Sequence, residues 1–488
     1  MFRKIRIGLA LVISIAITLL FLDVTGTLHS YLGWLAKIQF WPALLALNFG
    51  VLFVLVALTL LLGRAYCSVI CPLGIMQDLF SWIGGKVKKN RFSFSSEKRI
   101  LRYVVLAIFV LLTIFGFNVI ALYIEPYSAY GRIVNSLIQP IYAGANNLLA
   151  SLAERMDSYA FYEVETLAKA IPTVIVALIT LVVIAFLSFR NGRTWCNTIC
   201  PVGTLLGFLA KFSWFKPVIN SEKCIACGLC EKNCKASCIN AKTKEIDYSR
   251  CVTCMNCIDK CKKGAIQYIH PTKVEKSEEA VDDARRKFLA TGAVMAATLT
   301  VNAQAKKVDG GLTVIQDKKI PERKTPIKPA GALSAKNFAT HCTACQLCVS
   351  ACTNNVLRPS TRLESMLQPE LSFESGYCRP ECVKCSEVCP TGAIHPITTV
   401  EKSSIKIGKA IFIKENCVVN TDGVECGNCA RRCPVGAITM VPSEELGGRK
   451  IPAVNTERCI GCGACENLCP ARPFSAIYVE GYDTHIEA

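Results

Sequence analysis

Histidine and several common motifs are scarce in this sequence, and each shortage narrows the possible chemistry. The 488 residues include only five histidines and no CxxCH motif. Because c-type haem needs that motif and a haem inside a membrane usually needs paired histidines, neither cofactor is expected. The chain also lacks a nucleotide-binding glycine loop, a flavin motif and a nucleophilic triad, so NAD, ATP and hydrolytic chemistry are not indicated.

Charged side chains are also few, and they are unevenly distributed. They make up 19% of the chain, whereas hydrophobic residues make up 52% and the formal net charge is +18. A basic chain can bind nucleic acid, but no aromatic-basic recognition motif is present, and the basic residues crowd the ends of apolar segments. Membrane topology therefore explains the positive charge, and no nucleic-acid partner is expected.

Four apolar stretches have the length of about 20 residues that a membrane-spanning helix requires. They cover residues 7–24, 40–63, 103–124 and 170–189. The first follows Arg3, Lys4 and Arg6 as a secretory signal would, but no small-residue cleavage site comes after it. It is therefore interpreted as a retained span.

The loops between these stretches differ in basic charge. Residues 1–6 carry three basic side chains and residues 64–102 carry eight, whereas residues 23–39 carry one and residues 125–169 carry three. Basic loops stay in the cytoplasm, so both ends of the four-span unit are expected there, in a bacterial inner (cytoplasmic) membrane.

A thiol motif of the form GRx(aromatic)CxxICPxG follows the second and the fourth span. It contains Cys67 and Cys71 in the first copy and Cys196 and Cys200 in the second, 129 residues later. A match this long at equivalent places predicts a duplicated helical hairpin with pseudo-two-fold symmetry. Helical spacing puts both thiols of each pair on one face, where four thiols can meet.

The sequence leaves the role of these four cysteines open. They can be redox thiols, a further metal site or a bridging cluster, or simply small buried residues at helix ends. A structural disulfide is disfavoured because the predicted location faces the reducing cytoplasm.

Two strings of the form CxxCxxCxxxC follow directly, and each is typical of a 4Fe-4S cluster. In this pattern the first three cysteines bind one cluster and the fourth binds the neighbouring cluster. We expect Cys261 to complete the first set and Cys234 to complete the second, with Cys238 left over. Lys235 and Lys262 replace the proline that usually follows the fourth cysteine. The two sets are Cys224, Cys227, Cys230 with Cys261, and Cys251, Cys254, Cys257 with Cys234.

The C-terminal part contains sixteen further cysteines in four sets, enough for four more 4Fe-4S clusters and six in all. Two of these sets are irregular at their first cysteine, and the spacing does not assign the fourth ligands. A CxxGAI continuation recurs after Cys261, Cys389 and Cys433, as in ferredoxin repeats. The four sets are Cys342, Cys345, Cys348, Cys352; Cys378, Cys382, Cys385, Cys389; Cys417, Cys426, Cys429, Cys433; and Cys459, Cys462, Cys465, Cys469.

An internal export signal is predicted between the two cysteine-rich regions. Arg285 and Arg286 precede an apolar stretch over residues 288–301, which ends before Ala303-Gln304-Ala305. These are the parts of a twin-arginine signal with a cleavage motif. A basic linker before a short core helix is the alternative. Export of a folded domain would protect sixteen thiols from an oxidising compartment.

The predicted fold is therefore a membrane α-helical core of four spans with a duplicated hairpin, joined to small α+β ferredoxin-like iron-sulfur domains. Its parts are a membrane core over residues 1–215, a cytoplasmic two-cluster domain over 216–272, a linker with the signal over 273–336, and a periplasmic four-cluster domain over 337–488.

Residues 1–271 resemble the NapH-type membrane ferredoxins, whose membrane core is related to the NosR and CcoG proteins. The resemblance lies in the four spans, the two CxxxCP motifs and the two cluster strings. The twin-arginine signal with four cysteine sets resembles the NapG (MauM) periplasmic ferredoxins, so the chain looks like a fusion of the two.

This resemblance implies a haem-free quinol dehydrogenase that takes electrons from the membrane quinone pool and passes them to a periplasmic reductase or other acceptor. Candidate quinol contacts are Glu125, Tyr127, Tyr130 and Arg132, although such residues more often anchor a helix at the membrane interface. The alternative is a metal (copper) or disulfide reductase or assembly factor resembling CcoG. A further alternative is a polyferredoxin that lies wholly in the cytoplasm and docks with a soluble oxidoreductase.

Overall fold

The computed structural model describes residues 2–23, 26–87, 92–115, 122–157, 171–270, 308–309, 313–314 and 318–487. The predicted twin-arginine signal at residues 285–305 lies outside the described residues.

A helical core forms the first part of the chain. A π-helical segment, Val134–Ile138, joins α9 to α10. The helices are α1 (Phe2–Leu22), α2 (Thr27–Leu32), α3 (Trp34–Lys37), α4 (Phe40–Leu45), α5 (Phe49–Leu62), α6 (Ala65–Val69), α7 (Pro72–Val87), α8 (Arg99–Ile114), α9 (Pro126–Ile133), α10 (Gln139–Glu154), α11 (Ile171–Asn191), α12 (Thr194–Thr198) and α13 (Pro201–Ala210).

Two of these helices, α1 and α11, are long and apolar enough to cross a membrane, at 21 residues each. They correspond to the first and the fourth predicted spans. The side chains of α1 at Leu11, Val12 and Ile15 are exposed, although Ile17 and Leu20 are buried. An apolar face of this kind suits hydrocarbon rather than water.

The second predicted span is divided in the structure. Helix α4 ends at Leu45, and α5 begins at Phe49 because the Asn48 side chain accepts a hydrogen bond from the Val51 amide at 3.3 Å. An asparagine in this position is a favourable N-cap, so it starts a new helix rather than continuing the old one. The third predicted span corresponds to α8, and residues 116–121 lie outside the described part of the chain.

The first ferredoxin unit, residues 216–270, is built on short antiparallel pairs. Its first and last strands pair with each other, with Lys216 opposite Ile269 and Ile219 opposite Ile266. The elements are β1 (Lys216–Ile219), α14 (Leu229–Lys232), β2 (Ile239–Asn240), β3 (Glu245–Ile246), α15 (Asn256–Lys260) and β4 (Ile266–Ile269).

The second ferredoxin unit, residues 318–487, follows the short pair β5 (Val308–Asp309) and β6 (Thr313–Val314). Its longest strand pair joins its third strand, Ile405–Phe412, to its last strand, Ile477–Glu487. The elements are α16 (Ala335–His341), α17 (Leu347–Ser350), β7 (Leu357–Pro359), β8 (Pro369–Leu371), α18 (Lys384–Val388), α19 (Thr399–Ser404), β9 (Ile405–Phe412), α20 (Val418–Thr421), α21 (Asn428–Arg431), β10 (Ile438–Pro442), β11 (Lys450–Val454), α22 (Ala464–Asn467) and β12 (Ile477–Glu487). Three 3₁₀ turns complete it: Leu363–Ser365, Lys414–Asn416 and Glu444–Leu446.

This unit begins earlier than the sequence predicts. Residues 318–336 fall in the predicted linker, but Ile327 is fully buried and Arg323 forms a buried ion pair with Glu466. These contacts hold the segment against the body of the unit.

The two ferredoxin units lie at opposite ends of α1. Near its start, Arg3 pairs with Asp259 of the first unit. Near its end, Phe21 lies against Gly131 of α9, where a Cβ would also meet the Cys345 carbonyl of the second unit at 2.3 Å. A helix of 21 residues is about 30 Å long, which is also the thickness of the hydrocarbon layer.

Candidate iron-sulfur sites and a buried thiol quartet

The first ferredoxin unit brings its cysteines together in two places. Cys234, Cys251, Cys254 and Cys257 line one enclosed apolar pocket, which Cys238 also borders. Cys224, Cys227 and Cys230 lie close enough to interact electrostatically, and Cys261 lies at the end of α15. The first grouping joins a triplet to the fourth cysteine of the other string, as the spacing predicts.

The second ferredoxin unit shows the same exchange between sets, which the sequence left unassigned. Cys352 lines a pocket with Cys378, Cys382 and Cys385. Cys389, in turn, lies near Cys342, Cys345 and Cys348.

The last two sets also exchange their fourth cysteines. Cys469 lines a pocket with Cys417, Cys426 and Cys429. Cys433 lies near Cys459 and Cys462. Each triplet of the unit therefore has a fourth thiol from its neighbouring set.

These groupings suit a cluster better than a single metal ion. Within the described residues, no group of three or more His, Cys, Asp or Glu side chains stands close enough to hold one ion. A 4Fe-4S cube has one protein thiolate on each of its four irons and keeps these ligands farther apart than a single zinc ion does. Apolar pockets lined by four thiols fit such a cube.

Backbone amides near the cysteines supply hydrogen bonds to sulfur. In the CxxGAI continuations, Ala265 donates to Cys261 Sγ at 3.3 Å and Ala437 donates to Cys433 Sγ at 3.2 Å. Ile394 donates to Cys389 Sγ at 3.4 Å. Such bonds stabilise thiolate ligands and tune the potential of a cluster. The recurrence of this motif thus has a local chemical reason.

The predicted meeting of four helix-end thiols occurs in the structure. Cys67, Cys71, Cys196 and Cys200, which we call the thiol quartet, are all buried and interact electrostatically across the two repeats. Cys67 and Cys196 lie within α6 and α12, and Cys71 and Cys200 directly precede α7 and α13. The quartet sits at the end of the core that contacts the first ferredoxin unit.

Each repeat supplies an arginine to the thiol loop of the other repeat. Arg64 donates to the Cys196 carbonyl at 3.2 Å, and Arg193 donates to the Cys67 carbonyl at 2.7 Å. Gly74 and Gly203 leave room for these arginines, because a Cβ at either position would lie within 2.8 Å of a guanidinium nitrogen. The pseudo-two-fold relation is therefore visible at the level of single hydrogen bonds.

The quartet is electrostatically asymmetric. A hydrogen bond from Cys200 lowers the pKa of Cys196 to about 6, and Arg193, Arg64 and Gln77 act in the same direction against the effect of burial. Gln77 donates to Cys196 Sγ at 3.1 Å. The same hydrogen bond, together with burial, raises the pKa of Cys200. Cys196 is thus the thiol that the site stabilises as a thiolate.

A buried ion network joins the quartet to the first ferredoxin unit. Asp78 on α7 pairs with Arg193 at 2.6 Å and with Lys235 at 2.5 Å. Burial alone would raise the pKa of Asp78, but the two cations hold it far below its usual range. Lys235 directly follows Cys234, so its departure from the usual proline gives the unit a charged contact with the core. Sequence reasoning missed Asp78, and it noted Lys235 and the two motif arginines without predicting their roles.

A second polar group lies at the other end of the core. Glu125 caps α9 by accepting hydrogen bonds from the amides of Tyr127 and Ser128. Burial raises its pKa, although these bonds and Arg132 partly oppose that effect. Both Tyr127 and Arg132 lie near Cys345 of the second ferredoxin unit.

The structure buries all four candidate quinol contacts. Arg132 donates to the Leu122 carbonyl at 2.9 Å, and Tyr130 shares a hydrogen bond of 2.6 Å with Thr18. Within the described part of the chain, the Tyr127 hydroxyl and the Arg132 Nε and Nη1 atoms are buried without a partner. Buried donors without a hydrogen-bond partner are costly, so this group is suited to donate hydrogen bonds to a ligand oxygen.

Sequence comparisons agree with the duplication and with cysteines of the last two sets. A profile described as a 4Fe-4S binding domain matches twice, at residues 44–90 and 173–220, and a 4Fe-4S dicluster domain matches at residues 424–472. The two copies of the first profile begin 129 residues apart, the same offset as the thiol motifs.

Several curated proteins are similar to parts of the chain. The putative electron transport protein YccM of Escherichia coli is 27% identical over 45% of this chain and 55% of its own length. The methylamine utilization ferredoxin-type protein MauM of Methylobacillus flagellatus is 32% identical over 30% of this chain and 64% of its own length. The ferredoxin-type protein NapF of Escherichia coli is 29% identical over 32% of this chain and 87% of its own length.

The chain spans less than two thirds of the length of YccM and MauM. No solved structure matches it. With the cysteine geometry, these similarities make the chain an iron-sulfur protein with 4Fe-4S ferredoxin-type domains, related at modest identity to ferredoxin-type electron-transport proteins.

Proposed function

We propose that the protein is a membrane-bound, haem-free quinol dehydrogenase that passes electrons to a reductase or other acceptor in the periplasm. The observation that carries this proposal is the position of the two ferredoxin units at opposite ends of α1. With four spans in the inner membrane, the first unit faces the cytoplasm and the second faces the periplasm. The NapH-like and NapG-like parts of the sequence support the same arrangement.

Six 4Fe-4S clusters, bound at the cysteine groupings described above, would supply one-electron transfer. Cys224, Cys227, Cys230 and Cys261 form one ligand set, and Cys251, Cys254, Cys257 and Cys234 form another. In the second unit, Cys389 completes the first triplet, Cys352 completes the second, Cys469 the third and Cys433 the fourth.

The buried group around Glu125 is the proposed quinol site. Quinol releases protons when it is oxidised, and a carboxylate within hydrogen-bond reach can accept one. Arg132 and the Tyr127 hydroxyl have donor atoms available for the quinol oxygens, while Tyr130 is held by Thr18 and positions α9. The proximity of Cys345 to this group gives the electrons a short route into the second unit.

Anaerobic addition of a menaquinol analogue to the full chain in nanodiscs tests this function. Electron paramagnetic resonance should show clusters of the second unit becoming reduced. In a Glu125→Gln, Arg132→Gln variant, quinol should reduce them at least about ten-fold more slowly, whereas dithionite reduces them as before. Exposed Glu154 provides the matched control, Glu154→Gln. Equal quinol rates in all three proteins would contradict the site, and no reduction by quinol would contradict the function.

The topology can be tested independently. A reporter active only in the periplasm, fused after residue 488, should be active in the natural chain and inactive when Arg285 and Arg286 are both replaced by lysine. Unchanged export in that variant would refute the twin-arginine signal. An inactive reporter on the natural chain would place the second unit in the cytoplasm.

A metal or disulfide reductase centred on the thiol quartet is the second candidate function. The observation that favours it is the buried pair of Cys196 and Cys200, where Gln77 donates to Cys196 Sγ and the surroundings lower the pKa of Cys196. Iron analysis separates the possibilities: six cubes give about 24 iron atoms, and a seventh at the quartet gives about 28. With about 24 atoms, reversible oxidation of Cys196 and Cys200, read by mass spectrometry, would support the reductase.

A further inference from the structure

The first ferredoxin unit has no role in the shortest route that the proposed function requires. Quinol oxidised near Glu125 gives its electrons to the second unit at the same end of the core. The first unit lies at the other end of α1, beyond the thiol quartet. A cluster unit in that position needs an electron donor or acceptor of its own.

The strand register shows which end of this unit lies away from the end of α5. At one end of the β1–β4 pair, the Tyr268 hydroxyl donates to the Leu62 carbonyl at the end of α5. At the other end, the Asn220 amide donates to the Ala265 carbonyl at 2.8 Å. Cys224 follows Asn220 by four residues, and Cys261 precedes Ala265 by four. This cysteine set therefore lies at the end of the strand pair opposite the Leu62 contact, which we call the outer end.

The thiols of this set are less buried than those of the other set. Cys227 is exposed, in contrast to the buried Cys234, Cys254 and Cys257 that face the core. Ile225, between the first two cysteines, is 65% exposed. An exposed apolar residue beside an exposed cluster ligand is typical of a contact surface for transient electron transfer, where edges must approach closely.

Exposed lysines are adjacent in sequence to cysteines of this set. Lys223 precedes Cys224, and Lys262 and Lys263 follow Cys261; all three are exposed. Of the acids nearby in the sequence, Asp259 is paired with Arg3, and Glu222 is exposed beside Lys223. The unit as a whole has ten Lys and Arg against five Asp and Glu. An excess of lysines near an accessible redox group attracts an acidic partner.

We infer that the first ferredoxin unit has a docking face for a small, acidic, soluble electron carrier of the cytoplasm. This carrier is a second electron donor to the protein, besides quinol. The face consists of Lys223, Ile225, Cys227, Lys262 and Lys263. In its reduced form the carrier gives one electron to the protein and leaves oxidised, and no proton or bond is transferred. The inference rests on the proposed function for its direction, since it requires the first unit to face the cytoplasm.

Binding of an oxidised plant-type ferredoxin, used as the acidic probe, tests the face without any electron transfer. The full chain with its clusters is held in nanodiscs of neutral lipid, and affinity is measured by biolayer interferometry at low and at high salt. The variant Lys223→Glu, Lys262→Glu, Lys263→Glu should bind at least about ten-fold more weakly at low salt. High salt should weaken the natural protein as well.

The matched control reverses three exposed lysines of the second unit, Lys336→Glu, Lys409→Glu and Lys450→Glu, and so makes the same change in net charge. Its affinity should equal that of the natural protein. Equal affinities in all three proteins, or affinity that salt does not change, would overturn the docking face. Unchanged iron content in the face variant excludes loss of the fold as the cause.

Anionic lipid is the competing ligand for these lysines. If they face away from the membrane, nanodiscs containing phosphatidylglycerol should give the same ferredoxin affinity as neutral ones. A strong loss of affinity would mean that the lysines hold headgroups, and it would refute the proposal. Because the probe is oxidised, this test measures binding without electron transfer. A negative result here therefore does not bear on quinol oxidation, and a negative quinol result does not bear on this binding.

Discussion

Single glycines and arginines show how closely the two repeats fit around the thiol quartet. Gly74 and Gly203 occupy equivalent places in the motif, and each faces a carbonyl of its own cysteine loop and a guanidinium nitrogen of the other repeat. The duplicated sequence therefore encodes an exchange of arginines, which a single copy cannot form.

Adding a methyl group at these glycines should destabilise the core. A Cβ at Gly74 would lie 2.4 Å from the Cys67 carbonyl and 2.7 Å from Arg193 Nη1. We expect Gly74→Ala to lower the free energy of unfolding by about 1–3 kcal/mol, as overpacking does. Gly85 on the same helix has nothing within 4 Å, so Gly85→Ala should be neutral or stabilising. Denaturant unfolding in detergent provides the comparison.

Asp78 is the residue on which the contact between the core and the first ferredoxin unit depends most. Asp78→Asn would leave Arg193 and Lys235 buried without their counter-charge, a loss of about 3–5 kcal/mol for buried pairs. Hydrogen exchange should become faster at the Arg193 amide, which donates to the Lys235 carbonyl. The half-exposed pair of Arg3 and Asp259 is the control, since Asp259→Asn should change little. Unchanged protection at Arg193 would show that the network is dispensable.

The raised pKa of buried Glu125 predicts that the stability of the protein depends on pH. Its pKa is raised by burial in the folded protein, so the folded state holds this proton more tightly than the unfolded state does. Stability from this group is therefore greatest below the unfolded pKa of about 4.3 and falls as pH rises through the folded pKa. Glu125→Gln should flatten that part of the profile, whereas Glu154→Gln at an exposed site should not. A profile that keeps its slope in Glu125→Gln would assign the slope to another group.

At the scale of helices and strands, the sequence indicates the positions of elements better than their breaks. The length of α1 and α11, the repeated thiol motif and the cysteine triplets are all readable from spacing. The break between α4 and α5 is not, because a hydropathy window averages over the single N-cap at Asn48. The fourth cysteines of the second unit also escape prediction, since their exchange depends on how α17 meets α18.

Contacts between distant segments leave still less trace in the sequence. The ion pair between Asp78 and Lys235 cannot be predicted from the sequence, because only the fold buries the two residues together. Glu125 is predictable as a candidate because an acid follows an apolar stretch. Its burial against the second ferredoxin unit, however, depends on a surface more than 200 residues later. The residue roles proposed for the clusters and for quinol stay predictions until they are measured.

Helix α9 is the element that receives the second ferredoxin unit. A Cβ at Gly131 would lie 2.3 Å from the Cys345 carbonyl and 2.8 Å from Phe21 Cζ. Asn135, just beyond, donates to Ser350 of α17 at 2.6 Å. We expect Gly131→Ala to loosen this contact and to speed hydrogen exchange in α17 at least about ten-fold, equivalent to about 1.4 kcal/mol. Gly144 on α10 has open space around it, so Gly144→Ala should leave α17 unchanged.

At the scale of the whole molecule, the second ferredoxin unit packs against the core more extensively than a unit held only by its covalent connection would. Besides Gly131 and Asn135, Leu367 and Ala344 pack with Leu122 in a small buried cluster, and Lys384 approaches Gly26. These contacts come from three separate parts of the core and include one surface that lies against the proposed quinol site. The unit is therefore expected to stay in place without its covalent connection.

Cutting the chain between residues 271 and 317 tests that expectation. A protease site introduced there, cleaved in the full chain with its clusters, should leave the two fragments together through size-exclusion chromatography in detergent at moderate salt. Apolar and hydrogen-bonded contacts dominate this junction, so higher salt should release little of the second unit. The Gly131→Ala chain, cut in the same way, should release more of it than Gly144→Ala does. Separation of the natural fragments at once would mean that the covalent connection holds the unit in place. Retention would mean instead that the second unit stays bound beside Glu125, whether or not the chain is cut.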